Sequence, residues 1–275
     1  MNLILATKRP KIGDKKANLA FVQQTIENNP GDFYIFGELF LTGYHCKDNH
    51  RSYAETIQGP SIQHLTKLAQ QHNCYIVIGM PLKTGSVKGL IYNSAVLLHP
   101  DGHVDSYNKW FLPTTGPFEE KLYFNEGEDI PVFKTQYGTV GILICYDIYF
   151  PELSRALTLQ GADMLICISA SPTATRYYFE TLIPARAVEN TSFFAYVNLV
   201  GTQENMVFWG GSQLYDPLGK LIIKAPYFKD SIIQTDINLA DVENARGGRP
   251  ILRDIRSSVY HDLYDLSRGR SIKKK

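Results

Sequence analysis

The sequence has no apolar run near the roughly 18 residues that suggest a membrane-spanning helix, so no membrane partner is expected. It also lacks an excess of either charge, with 28 Lys and Arg against 27 Asp and Glu in 275 residues. That balance leaves no electrostatic footprint for nucleic acid. Cysteine is scarce: Cys46, Cys74, Cys145 and Cys167 show no CxxC spacing and no Cys/His pattern for a metal. The opening, MNLILATKRPKIGD, puts charge after a short apolar run, the reverse of a secretory signal. A cytoplasmic, reducing compartment is therefore expected, where disulfides are rare. No linker, repeat or low-complexity segment interrupts the chain. What remains is an ordinary globular composition, 44% hydrophobic, with ample material for a core.

Short runs rich in β-branched and aromatic residues predict strands at 2–6, 32–36, 74–80, 91–98, 103–108, 139–145, 164–169, 193–199, 211–215, 220–224 and 232–236. Pro100-Asp101-Gly102 and Asp216-Pro217-Leu218-Gly219 read as hairpin turns. Asp14 is placed to cap a helix whose Leu19, Val22 and Ile26 share a face. Ile62, Leu65, Leu68 and Ala69 follow Ser61 at helical spacing, and Pro151 opens a third helix through Leu159. A fourth is predicted over 175–190, with Pro184 as a kink or break. The basic end, 271–275, reads as a solvated terminus. Helices alternating with strands and hairpins mean α/β, with a mixed sheet or two packed sheets.

The segment 138–152, GTVGILICYDIYFPE, is the most informative. An apolar strand ends at Cys145 and a helix starts near Pro151, so the thiol is presented at the C-terminal edge of a sheet. The helix N-terminus would favour a thiolate, and the Tyr146 N–H can point at a developing oxyanion. From position alone, both a nucleophile and a buried structural thiol stay open. Cys74 and Cys167 lie in strands and read as structural, while Cys46, in a polar stretch, reads as exposed. None of the seven histidines closes a strand as Cys145 does. Glu38, between Phe36 and Leu39, is a carboxylate costly to bury without a partner, and desolvation would lift its pKa toward that of a general base. Lys109 is a lone cation ahead of Trp110 and Phe111. Glu119 and Glu120 fit either a site or a solvated loop.

These residues carry a resemblance. Glu38 in FGELFLTGY, Lys109 in YNKWFLP and Cys145 in GILICYDIYFPE are similar to the Glu–Lys–Cys signature of the nitrilase superfamily, the carbon–nitrogen hydrolases. The match is collinear and continues through PFEEKLYFNEGE, RAVEN at 186–190, NLVG at 198–201 and GGSQLYDPLG. The resemblance implies an αββα four-layer sandwich, two mixed β-sheets flanked by helices. It implies one domain over 1–275 with an extension from about 247, usually paired as a homodimer or a higher assembly through the helices after the nucleophile. It implies hydrolysis of a non-peptide C–N bond without cofactor or metal, on a small amide, carbamoyl or nitrile substrate. Glu38 would be the base, Cys145 the nucleophile, Lys109 the oxyanion cation and Glu120 a second glutamate that positions substrate. Tyr146, Tyr149 and Tyr44 are the candidate substrate-binding residues. Gly37 stands where the family usually has Pro, which would loosen that turn. Ile148 and Tyr149 stand where members that grip a carboxylate often have Arg, although Arg176 or another Arg could reach in. The favoured expectation is thus an amidase or carbamoylase without a required carboxylate. The alternatives are a nitrilase or a non-catalytic, redox-sensing member. Arg246, Arg249, Arg253 and Arg256 would reach across an interface or lie in solvent.

Overall fold

The computed structural model describes residues 1–83 and 87–271, so most of the basic end lies outside the described residues. In chain order the elements are β1 (Asn2–Thr7), α1 (Lys15–Asn28), β2 (Phe33–Phe36), α2 (His50–Tyr53), α3 (Pro60–Gln71), β3 (Tyr75–Lys83), β4 (Ile91–Leu98) and β5 (Val104–Asn108). They continue with α4 (Glu120–Tyr123), β6 (Val132–Thr135), β7 (Gly138–Ile144), α5 (Pro151–Leu159), β8 (Met164–Ser169), α6 (Arg176–Asn190) and β9 (Phe193–Asn198). The last are β10 (Val200–Gln203), β11 (Met206–Trp209), β12 (Gln213–Tyr215), β13 (Leu221–Lys224), β14 (Ser231–Asp236), α7 (Asp241–Gly248) and α8 (Ser257–Ser267).

Two six-stranded mixed sheets result, ordered β14-β1-β2-β3-β4-β5 and β13-β12-β9-β8-β7-β6. The centres are parallel, β1-β2-β3 and β7-β8-β9, and the flanks antiparallel. Alternation along the first sheet explains the layering. Leu3, Leu5, Phe33, Ile35, Val77 and Leu97 face the second sheet, whose Ile142, Ile144 and Ile166 lie in the same core. Ile4, Tyr34, Phe36, Ile76 and Ile78 face Val22 and Ile26 of α1 and Leu65 and Leu68 of α3. On the far side, Leu153 and Leu157 of α5 and Phe179 and Ile183 of α6 cover the second sheet. The architecture is the αββα sandwich. Each fully buried Ile or Leu contributes roughly 1.5–3 kcal/mol.

Local signals account for most element starts. The Asp14 side chain accepts from the Ala17 N–H at 3.0 Å, and proline occupies the first turn of α3 and α5. Helix α6 runs through Pro184 as one helix, where a kink or break was expected. Strand β12 starts two residues later than predicted because Gly210 and Gly211 both take positive φ. The pairs β6 and β10–β11 and the helices α7 and α8 have no counterpart in the sequence reading. Arg246 donates to its own chain, at Ala162 O (2.7 Å). Helix α8 buries none of its residues.

Candidate active site

The site collects at the C-terminal ends of four strands: β2, β5, β7 and β8. After β2 the chain turns at Gly37 and Glu38, and Leu39 takes φ 48°. Strand β3 presses against this turn. Gly79 N–H donates to Gly37 O at 3.1 Å, and Gly79 O accepts from Leu41 N–H at 3.1 Å. A Cβ at Gly79 would sit 2.3 Å from Leu39 N and 2.7 Å from Glu38 Cα, so only glycine permits the approach. From the other sheet, Ser169 O accepts from Glu38 N–H at 3.4 Å. A Cβ at Gly37 would meet Leu199 Cδ2 at 2.7 Å. The turn expected to be loosened by Gly37 is thus held from both sides.

Glu38 and Lys109 are each 0% exposed and Glu120 only 3%. Lys109 Nζ lies 2.7 Å from Glu38 Oε1 and 2.8 Å from Glu120 Oε1. The other Glu38 oxygen, Oε2, accepts from Ala170 N–H at 2.7 Å, while Asn93 Nδ2 donates to Oε1 at 2.8 Å. Tyr44 donates its hydroxyl to Glu120 Oε1 at 2.7 Å. Two carboxylates therefore share one ammonium in a water-excluded space. Burial, reinforced by the neighbouring Glu38 charge and opposed by Lys109, lifts the Glu120 carboxyl to about 7. For Lys109, burial works against the charge, but Glu120 and Glu38 outweigh it and hold the ammonium above the ordinary lysine range.

Cys145 follows β7 by one residue and opens a 3₁₀ turn, Cys145–Tyr149, with φ 48°. A left-handed non-glycine residue is strained, and such strain persists only where its surroundings over-determine it. Here the surroundings include Asp147, fully buried. Its Oδ2 accepts from Ile144 N–H (3.0 Å) and Tyr107 Oη (2.8 Å), and its Oδ1 from Phe111 N–H (2.9 Å). One carboxylate thus ties the Cys145 turn to β5 and to the loop that follows Lys109. Burial raises Asp147 to about 6. The thiolate expected from the α5 terminus is not what the surroundings favour. Burial, then the Glu38 charge, pushes the Cys145 thiol well above its ordinary value, and Lys109 pulls it back only partly. The surroundings thus favour a thiol at Cys145, so a nucleophilic role would require its proton to leave as the sulfur attacks.

Cys145 lies at the wall of a cavity of about 250 Å³ lined by Phe118, Tyr146, Tyr149, Tyr178 and Phe179. Among the described residues no charged side chain lines it. Tyr146 and Tyr149 thus reach this space. Tyr44 does not line it and sits instead on Glu120. Ile148 is fully buried, and Arg176 is engaged with Glu180 (3.7 Å) and over the Tyr227 ring, so neither enters. Cys46, expected to be exposed, is 3% exposed and donates its thiol to Thr42 O at 3.0 Å. His50 is buried against Tyr44 O, and burial lowers its pKa to about 4, so it stays neutral. Sequence reasoning missed Asn93, Ala170, Tyr107 and Asp147. Asn93, a polar residue inside the apolar strand β4, was the one with a visible signal.

A profile of the carbon–nitrogen hydrolases matches residues 5–247. The chain is 32% identical over 252 residues to a probable nitrilase of Schizosaccharomyces pombe, covering 89% of this chain and 91% of that protein. It is 31% identical over 274 residues to an (R)-stereoselective amidase of a Pseudomonas species, covering 98% and 97%. Among solved structures, a double mutant of the amidase from Nesterenkonia sp. AN1 in complex with acrylamide superposes with a TM-score of 0.81 at 25% identity, covering 96% and 97%.

Proposed function

The chain belongs to the carbon–nitrogen hydrolase family, and from that footing we propose that it hydrolyses a small uncharged amide or N-carbamoyl amine through a thioester on Cys145. The carrying observation is the buried Glu38–Lys109–Glu120 cluster, which acts electrostatically on a thiol seated on a strained turn. Cys145 Sγ attacks the carbonyl carbon as its proton passes to Glu38. The oxyanion that forms is met by Lys109 Nζ and the Tyr146 N–H, donors fixed before the reaction begins. Glu38 returns the proton to the nitrogen, the C–N bond breaks and ammonia leaves. Water then gives a proton to Glu38 and attacks the thioester, releasing the acid and restoring the thiol. From a carbamoyl substrate the acid is a carbamate, which breaks down to amine and CO2. Glu120 orients the ammonium and the incoming substrate.

The aromatic cavity supports a substrate without a carboxylate, since a buried anion there would find no cation among the described residues of its walls. The acrylamide bound to the Nesterenkonia amidase is such a small neutral amide. A nitrilase is the second reading, favoured by the likeness to the Schizosaccharomyces pombe protein. We read 1–275 as one domain with an extension from about 247. Self-association as a homodimer is supported by the apolar residues Val259, Leu263 and Leu266 that α8 leaves exposed. The four free thiols fit a cytoplasmic setting. The test is an ammonia-release screen over aliphatic amides, carbamoyl amines, ω-amides with a carboxylate, and nitriles. Release from neutral amides, lost in Cys145→Ala, supports the proposal. Turnover retained in Cys145→Ala, or confined to carboxylate substrates or nitriles, overturns it.

A further inference from the structure

At the opposite end of β4 from Asn93 the β4–β5 hairpin brings together three side chains that the hydrolytic reaction leaves unused: His99, His103 and Asp105. Register explains the cluster. His99 N–H donates to His103 O at 3.0 Å, which pairs the two histidines across the turn. Asp105 lies two residues along from His103, on the same face of the pleat. The turn itself is well determined. Gly102 takes φ 93°, its N–H donates to His99 O, and Asp101 Oδ1 accepts from His103 N–H at 2.9 Å. His99 is 6% exposed, and its ring stands edge-on to Tyr75 at 5.2 Å.

The two rings converge on one carboxylate. His99 Nε2 lies 2.9 Å from Asp105 Oδ2, and His103 Nε2 lies 3.1 Å from Asp105 Oδ1. One ligand atom from each of the three side chains lies within 4.8 Å of the others. Ligands at about 2.0 Å in a tetrahedron around zinc are about 3.3 Å apart, close to the two nitrogen–oxygen spacings of 2.9 Å and 3.1 Å. Without an ion, each Nε2 carries the proton of its hydrogen bond. With the ring proton on Nδ1, each Nε2 presents its lone pair to an ion.

We propose that His99, His103 and Asp105 form a second site, separate from Cys145, that binds a divalent zinc-like cation through two imidazoles and a carboxylate. Water completes the coordination, because His103 faces solvent with 61% of its side chain exposed and leaves a way in. Two nitrogens and one oxygen select a borderline ion such as Zn²⁺ over Mg²⁺ or Ca²⁺, which prefer all-oxygen sets. The ion clamps the ends of β4 and β5. Asp105 lies on β5 four residues before Lys109, which directly follows that strand, about 13 Å at 3.3 Å per residue, so the ion steadies the strand and does not enter the reaction.

The test uses the full chain stripped with EDTA and titrated with zinc chloride in a calorimeter, with Co²⁺ absorption as a second reading of geometry. A Cys145→Ser background removes the thiol as a competing ligand. One equivalent is expected to bind in the micromolar range, and His103→Ala and Asp105→Asn should each weaken it at least about tenfold. Both variants should keep the melting temperature of the stripped parent, because His103 is exposed and neither change opens the core. Absence of zinc uptake overturns the proposal. So does uptake with the same affinity in both variants, or a Co²⁺ spectrum that neither variant alters. Since hydrolysis is not the readout, failure here leaves the amidase reading standing, and failure of that reading leaves this one standing.

Discussion

Replacing Lys109 by Met keeps the length and most of the volume of a fully buried side chain and removes its charge. In the native site the ammonium sits 2.7 Å and 2.8 Å from two carboxylates that are themselves buried. Removing one partner of a buried ion pair costs about 3–5 kcal/mol, because the remaining charge is left uncompensated. At roughly 2–4 °C per kcal/mol for a chain near this size, the melting temperature should fall by about 6–20 °C. The loss should depend on pH in a definite sense. Without the cation, Glu38 and Glu120 cannot both ionise and must hold a proton between them. An acid whose folded pKa is raised adds stability that is fully present below its unfolded value and is lost as pH rises through the folded one. The deficit should therefore be small near pH 5 and full near pH 8. Loss of the oxyanion cation should lower turnover by at least about 10²–10³-fold. Thermal melts across that pH range, with ammonia release at each pH, measure both effects. A melting temperature within about 1 °C of the parent near pH 8, or a deficit identical at both ends of the range, would refute Lys109 as the counter-ion. Turnover near the parent's would refute it as the oxyanion donor.

Cys145 holds φ 48°, so Cys145→Gly should be more stable than Cys145→Ala by about 1 kcal/mol in urea unfolding, both being inactive; equal stabilities would mean that the turn is unstrained. Glu120, raised to about 7, stabilises the fold most at low pH, and that contribution, about 3 kcal/mol, is lost as pH climbs from about 4.5 through 7. Glu120→Gln cannot ionise and should show a flatter stability profile over the same range in chemical denaturation; a profile parallel to the parent's would contradict the assignment. Gly79→Ala forces a methyl to 2.3 Å from Leu39 N and displaces the Glu38 turn, so turnover should fall by about 10²-fold as the base shifts. If kinetics are unchanged in that variant, the turn does not depend on β3.

Strands whose apolar runs are long and β-branched were legible to the residue: Ile91–Leu98 and Met164–Ser169 match their predicted bounds. The strands β6, β10 and β11 were not; in Val132–Thr135 only the first two residues are apolar, whereas the equally short β2 is apolar throughout. Glu38, Lys109 and Cys145 stood out because a charge or thiol among apolar neighbours, at the end of a strand, is costly unless it has a purpose. Ala170 could not stand out, since it acts through a backbone N–H that every residue possesses. Asp147 was hidden by its position in a run already assigned to the nucleophile. Cys46 was misjudged for a related reason: its neighbours His45, Lys47 and Asp48 are polar, but the chain folds back so that its thiol reaches Thr42 O. The protonation state of Cys145 is the instructive error. A helix terminus acts over about one turn, while the desolvation of a thiol enclosed by two sheets is decided by residues far away in the chain.

The hydrogen bond from Ala170 N–H to Glu38 Oε2 spans 132 positions of sequence and crosses from one sheet to the other. The first half of the chain can hold one oxygen of Glu38 through Lys109 and Asn93, but the other oxygen takes its partner only from the second half. During refolding, each sheet can form before any catalytic power exists, because Cys145 and the second contact on Glu38 both come from the other sheet and reach the site only when the two sheets dock. Recovery of activity then serves as a clock for sheet docking, and a nascent chain stays chemically silent until its second half has emerged and closed over the first.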